Sequence, residues 1–427
     1  MQILENSIVK EKIYTEKLEN GLTVMILPKK DTLKKYVIWG TNYGSNDSKF
    51  IVPGEEQETA VPDGIAHFLE HKLFEQKNGT NSLDTLSALG VNANAYTTND
   101  HTAYLFECTD NFYPALDEFM DYVQNPYFTD ENVEKEKGII GQEIMMYDDH
   151  PFWRVYMNTM DCLYHNNPIK IDIAGTIESI AEIDKEVLYK CYNTFYNPSN
   201  MLLFVAGDFV PEEILEEIKK RLINSHSQTE IKRIYPEEPK EINKNTSVKE
   251  MELSEPLFII GIKDPIGENC APAQSEMVRK HIGIEILLNM LVGKSSETYK
   301  KMYDKGLIIA EPDTDYEFTK YYGHITIGGQ SKDPEKILEI IKEKIKEYQK
   351  NGLDKEHFER IKKMIYGDYI KEYNDIAGIS RMFMSDYFKG INSFDYLEEF
   401  KTISLEYVHD LLKGLLKEEN MILSIVK

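Results

Sequence analysis

The segment NMLLFVAG at 200–207 returns 220 residues later as NMILSIVK at 420–427. Each copy follows a helix-like stretch, KEVLYKCYNTFY at 185–196 and LEYVHDLLKGLL at 405–416. A helix running into an apolar strand, written twice in the same order, marks a duplicated unit. A second pair agrees: FTDENVEKEKGIIGQEIMMYDDHP at 128–151 and GLDKEHFERIKKMIYGDYIKEYND at 352–375. Both have helical periodicity, and Asp130 and Asp354 stand where N-caps are expected. A third pair, ENGLTVMILPKK at 19–30 and ELSEPLFIIGIKDP at 252–265, reads as two equivalent strands, each stopped by a proline.

The chain is therefore expected to fold as α+β, with two homologous domains, each a mainly antiparallel sheet packed with helices. Residues 1–225 and 251–427 are the two copies. The polar, Pro-containing stretch 226–250 reads as the linker between them. Strands are expected in GLTVMILP, KYVIWGTNYG, NANAYTTNDHTAYLFEC and MLLFVAG of the first copy. In the second they are expected in PLFIIGIKD, YYGHITIGG and MILSIVK.

With 427 residues, 41% hydrophobic and 29% charged, the chain has ample material for two cores. The formal charge is −24, from 73 acidic and 49 basic residues. That balance argues against nucleic acid, whose phosphates it would repel. It suits a solvated acidic surface or, as the minor reading, attraction of basic peptides. Cys108, Cys162, Cys191 and Cys270 are scattered and form no CxxC pair, which suggests buried thiols in a reducing compartment. No apolar run approaches the ~18 residues of a membrane span, and MQILENSIVKEKIY has no signal-peptide pattern, so the expected location is the cytoplasm.

The chemistry concentrates in DGIAHFLEHKLF at 63–74. On a helix, His67 and His71 lie on one face and can offer two imidazole nitrogens to one cation. A catalytic zinc takes three protein ligands, and Glu70 is better placed as general base towards water than as the third. A lone histidine on an apolar face is most often a satisfied core residue, but two with an embedded glutamate need partners. EKEKGIIGQEIMMYDD at 134–149 supplies candidates in Glu136 and Glu143, two helical turns apart. Glu143, flanked by GIIG and IMMY, is assigned as the third ligand. Glu136 is assigned as an acceptor that orients a ligand.

HFLEH is the HxxEH motif and resembles that of the pitrilysin/insulinase family of zinc metallopeptidases. The 71 residues between His71 and Glu143 match the family spacing, and the likeness runs along the whole chain, including GLTVMILP, the NAYT strand and the duplication. The chain is most similar to the processing-peptidase-like branch with half-length chains. EKEKGIIGQE and MYDDHPFWR resemble insulinase-like proteases associated with peptide or elongation factor P modification. The resemblance implies one zinc per chain and cleavage of unfolded peptides or leader peptides. It also implies substrate pairing as an added strand along Asn94-Ala95-Tyr96-Thr97; for Tyr96 a plain core role stands equally open.

The family also places an arginine and a tyrosine in a second half-site. In GKSSETYKKMYDKGLIIAEP at 293–312 those positions fall on Tyr303 and Ile309. Where the first copy has IAHFLEH, the second has IEILLNMLVG, without ligands. The expectation is thus a zinc endopeptidase completed by a homologous subunit that lacks HxxEH. A self-sufficient homodimer and a non-catalytic peptide-binding or scaffold subunit are the alternatives. GKSS lacks the glycine spacing of a phosphate loop. His101 is expected to be structural, and His165 receives no role.

Overall fold

A computed structural model describes residues 1–223, 231–265 and 274–427. These residues pack into two compact units. One comprises Met1–Met145, Ile171–Tyr235 and Glu372–Phe388; the other comprises Met146–Lys170, Pro236–Lys371 and Lys389–Lys427.

The first unit is built on seven strands: β1 (Gln2–Asn6), β2 (Glu11–Lys17), β3 (Thr23–Pro28), β4 (Lys35–Thr41), β7 (Asn92–Thr97), β8 (Thr102–Cys108) and β9 (Met201–Gly207). Their order is β1-β2-β3-β9-β4-β8-β7. Only the β3–β9 pair in this sheet is parallel. Three short strands, β5 (Lys49–Ile51), β6 (Glu58–Ala60) and β10 (Lys232–Arg233), form a separate sheet in the order β10-β5-β6. The second unit holds β11 (Thr246–Lys249), β12 (Leu257–Asp264), β13 (Asp313–Phe318), β14 (Gly323–Gln330) and β15 (Met421–Val426). Their order is β11-β15-β12-β14-β13, with β11–β15 parallel and the rest antiparallel.

The two sheet orders superimpose as patterns. β9 and β15 are the matched strands that follow their helices, and each has one parallel and one antiparallel neighbour. The counterpart of β3 is then β11, and the counterpart of β12 is β4. The pairing of GLTVMILP with PLFIIGIKD read from the sequence is therefore wrong. Short apolar strands look alike one at a time, and only the ladder separates them. The stretch expected to be a linker is in part ordered sheet: β10 pairs with β5, and β11 pairs with β15. Positions 226–230 of that stretch lie outside the described residues.

The continuous apolar runs of β4 and β9 follow from burial on both faces. Val37, Trp39, Leu203 and Val205 belong to the main core of the first unit. The opposite face is covered by helix Ile376–Lys389, which comes from the second sequence copy: Phe383 packs on Phe204, and Tyr387 bonds Thr23 at 2.8 Å. Gly40 is required there, since a Cβ would lie 2.5 Å from Met384 Sδ. In the second unit, helix Pro151–Leu163 of the first copy covers β12 and β15, with Thr159 against Gly261 and Ser424 Oγ donating to the Val155 carbonyl. Each sheet is thus completed by a helix from the other copy.

Helix Asp130–Asp148 begins differently from the expectation. The Thr129 hydroxyl accepts from Asn132 N, and Asn132 Oδ1 accepts from Thr129 N, so Thr129 is the cap and Asp130 lies in the first turn, paired with Lys185. Asp354 does cap its helix, accepting from His357 N. Cys108, Cys162 and Cys191 are free and buried; Cys270 lies outside the described residues. Among the described residues no helix is long and apolar enough to cross a membrane.

Candidate metal centre and active site

Helix Ile65–Lys72 carries the HxxEH residues. It starts at Gly64, whose φ of +89° favours glycine, and a Cβ there would lie 2.3 Å from the Ala174 carbonyl oxygen. The stripe Ile65, Phe68, Leu69, Lys72 is buried. The alternate face carries His67 and His71 towards helix Asp130–Asp148.

His67 Nε2 lies 3.8 Å from Glu143 Oε1, and His71 Nε2 lies 3.6 Å from Glu143 Oε2. One ligand atom from each of the three residues falls within 4.8 Å of the others. Ligands of a tetrahedral zinc at ~2.0–2.1 Å stand roughly 3.3 Å apart, so the set is slightly open but of the right size. Two imidazoles and a carboxylate also suit zinc chemically. His67 Nδ1 is buried without a hydrogen-bond partner, so the ring's polar approach is through Nε2 towards Glu143. These three residues can hold a metal ion.

The electrostatics differ between the two histidines. Burial, with the nearby His71, holds the His67 pKa down to about 3, so its lone pair is free near neutral pH. Burial also opposes protonation of His71, but the Glu136 hydrogen bond and the charges of Glu70, Glu136 and Glu143 outweigh it and raise its pKa. Glu136 Oε1 lies 3.1 Å from His71 Nδ1, which fixes the ring and turns Nε2 towards Glu143. Burial pushes the Glu70 carboxyl up; the Thr97 hydroxyl, donating to Oε2 at 2.6 Å, opposes that shift.

Asn94, Ala95, Tyr96 and Thr97 lie on β7, the free edge of the seven-stranded sheet. Thr98 N donates to the His101 carbonyl, so Thr98 and His101 form a bonded pair. By alternation Tyr96 and Asn94 bond β8, while the N–H and C=O groups of Thr97, Ala95 and Ala93 point to the free edge. Ala95 N is met there by Asn94 Oδ1 at 2.9 Å. Thr97 points to Glu70, whereas Tyr96 packs against His101. His101 is buried, with Nδ1 2.7 Å from Asp100 and its ring near Phe388.

Two contacts here escaped the sequence reading. The Thr97–Glu70 bond joins residues 27 apart and has no local signal. Lys72 is fully buried and bonds Glu75 and Glu136; its place in the stripe with Ile65, Phe68 and Leu69 was a readable sign that it faces inward. GKSS proves to be a helix start, with Ser296 Oγ accepting from Tyr299 N.

The model described as insulinase (peptidase family M16) matches residues 50–177, and that described as peptidase M16 inactive domain matches 182–365. An uncharacterized zinc protease of Bacillus subtilis (strain 168), YmfH, is 39% identical over 96% of this chain and 95% of its own. A crystal structure of an M16-like peptidase from Alicyclobacillus acidocaldarius is 35% identical, covers 99% of both chains and superimposes with a TM-score of 0.93. A mitochondrial-processing peptidase subunit beta of Arabidopsis thaliana is 28% identical over 40% of this chain and 33% of its own. Likeness of this extent, joined to HxxEH on the helix and Glu143 across from it, places the chain in the insulinase family, peptidase family M16.

Proposed function

We propose that the chain is a zinc endopeptidase for extended peptides and the metal-bearing member of a pair. The observation that carries this reading is the convergence of His67 Nε2, His71 Nε2 and Glu143 beside a glutamate held by Thr97. His67, His71 and Glu143 are the ligands, and Glu70 is the general base. When bound, zinc supplies Lewis acidity, polarising a carbonyl and making water a better nucleophile.

The chain's own residues account for the rest. Thr97 occupies Glu70 Oε2, which leaves Oε1 to take the proton from water and return it to the leaving amine. The raised Glu70 pKa makes the carboxylate a stronger base than an exposed one. A substrate strand adds to β7 through Ala93, Ala95 and Thr97, with its carbonyl displacing Asn94 Oδ1 from Ala95 N. Peptides must be unfolded to present such a strand. Tyr303 and Ile309, at the positions where the family resemblance expects an arginine and a tyrosine, are exposed and cannot supply a cationic donor. A homologous subunit lacking HxxEH therefore contributes that half-site. The relative named as a subunit supports a paired assembly.

The test is cleavage of a pool of unstructured peptides by the zinc-loaded chain, read by mass spectrometry, with Glu70→Gln as control. Cleavage that appears only with a homologous partner, and vanishes in the control, is expected. Cleavage by the chain alone, lost in the control, keeps the peptidase and overturns the pairing. No cleavage in either setting, with one zinc bound, overturns the function.

A further inference from the structure

Lys72 is a cation placed in a core. It continues the buried stripe of Ile65, Phe68 and Leu69, and none of its side chain is exposed. Its ammonium meets the Glu75 carboxylate and lies 3.3 Å from Glu136 Oε2. The other oxygen of Glu136 is the one on His71 Nδ1. A continuous line results: Glu75, Lys72, Glu136, His71 and, across from Nε2, Glu143.

Stability alone does not explain this arrangement. Desolvating an ammonium costs several kcal/mol, and buried ion pairs are often replaceable by apolar side chains at no loss. A methionine would fill the same stripe. The ammonium adds two things a methionine would lack. It gives the second oxygen of Glu136 a fixed donor, so the carboxylate cannot rotate away from His71. It also adds positive charge where Glu70, Glu136 and Glu143 gather. Among the described residues no other lysine or arginine bonds any of these three.

Resting on the metal-site reading above, we infer that Lys72 is a positioning residue for the metal: it clamps Glu136, and through Glu136 it holds His71 in its ligating orientation. Glu75 anchors the far side of the lysine and leaves Glu136 only part of its charge. Lys72 touches neither substrate nor metal. Its effect must therefore pass through Glu136 and disappear when residue 136 no longer offers two charged acceptor oxygens.

The experiment measures zinc dissociation constants by chelator competition for wild type, Lys72→Met, Glu136→Gln and the double variant. The visible spectrum of each cobalt-loaded protein reports ligand geometry. Lys72→Met is expected to weaken zinc about tenfold, at the low end of the 10–100-fold typical of such outer partners, and to shift the cobalt bands. In the Glu136→Gln background the same change is expected to cost less than twofold. Lys72→Gln, which keeps a donor for Glu136, serves if Lys72→Met does not fold and should fall between it and wild type. A purely structural lysine would lower the melting temperature of the metal-free protein and leave zinc affinity unchanged. A Lys72 variant within twofold of wild type, or a penalty equally large without the Glu136 carboxylate, overturns the inference. Wild-type protein that takes up no zinc would instead remove the metal-site reading itself.

Discussion

Two helices hold corresponding places in the duplicated pattern, and they have opposite characters. In the first unit, helix Ile65–Lys72 comes after β4 and the short strands β5 and β6, and presents His67, Glu70 and His71. In the second, helix Gln274–Val292 follows β12. Setting IAHFLEH against IEILLNM puts Ile286, Asn289 and Met290 at those positions. Ile286 and Met290 are completely buried, and Asn289 bonds the Glu285 carbonyl of its own helix. One helix is 8 residues long, starts at a left-handed glycine and is lined by ligands; the other is 19 residues long and is packed nearly all round. The sheet pattern is common to both, so the chemistry is a graft of a few side chains onto a scaffold that folds without them.

The largest expected effect comes from making the first helix like the second. His67→Ile with His71→Met should reduce bound zinc from one per chain to none, read by elemental analysis, while circular dichroism stays that of a folded protein. Glu70→Gln should keep the zinc and lower the rate of peptide cleavage by about 10²–10⁴. A fall in zinc with that variant would make Glu70 a ligand and break the assignment. Thr97→Val removes one hydrogen bond to a charged group, of roughly 1.5–3 kcal/mol. It should reduce kcat about ten- to a hundredfold, with Thr97→Ser restoring most of it. An effect on KM alone would make Thr97 a substrate contact only.

The smallest effect belongs to the second helix. Glu285 is the half-buried carboxyl there, and desolvation raises its pKa to about 7 despite the hydrogen bond from Tyr369. The unfolded chain releases that proton near the ordinary glutamate value of 4.5, whereas the folded chain keeps it to about 7. Between those values the folded state binds more protons, so stability is greatest below 4.5 and falls as pH rises through 7. The contribution is on the order of 1–3 kcal/mol. Glu285→Gln should flatten that slope in thermal unfolding and leave zinc uptake unchanged.

Much of this was legible in the sequence because it is local. The i,i+4 spacing of His67 and His71, the alternation in TAYLFEC and the repeated helix–strand pair all lie within short windows. The strand partners are not local. GLTVMILP resembles PLFIIGIKD as a string, yet β3 corresponds to β11 by its parallel bond to the strand after the helix. The exchange of helices Pro151–Leu163 and Ile376–Lys389 was unreadable for the same reason: an amphipathic helix shows which face is buried and not which sheet buries it. The contacts that complete the site, Thr97 on Glu70 and Lys72 on Glu136, join residues 27 and 64 apart. Only the stripe position of Lys72 left a trace.

One zinc is expected among His67, His71 and Glu143. Crystals of the zinc-loaded chain, measured on both sides of the zinc absorption edge, test it directly. One anomalous peak is expected within ~2.0–2.2 Å of His67 Nε2, His71 Nε2 and a Glu143 carboxylate oxygen. A peak bound by other residues, or none at that position with equimolar zinc present, would contradict it.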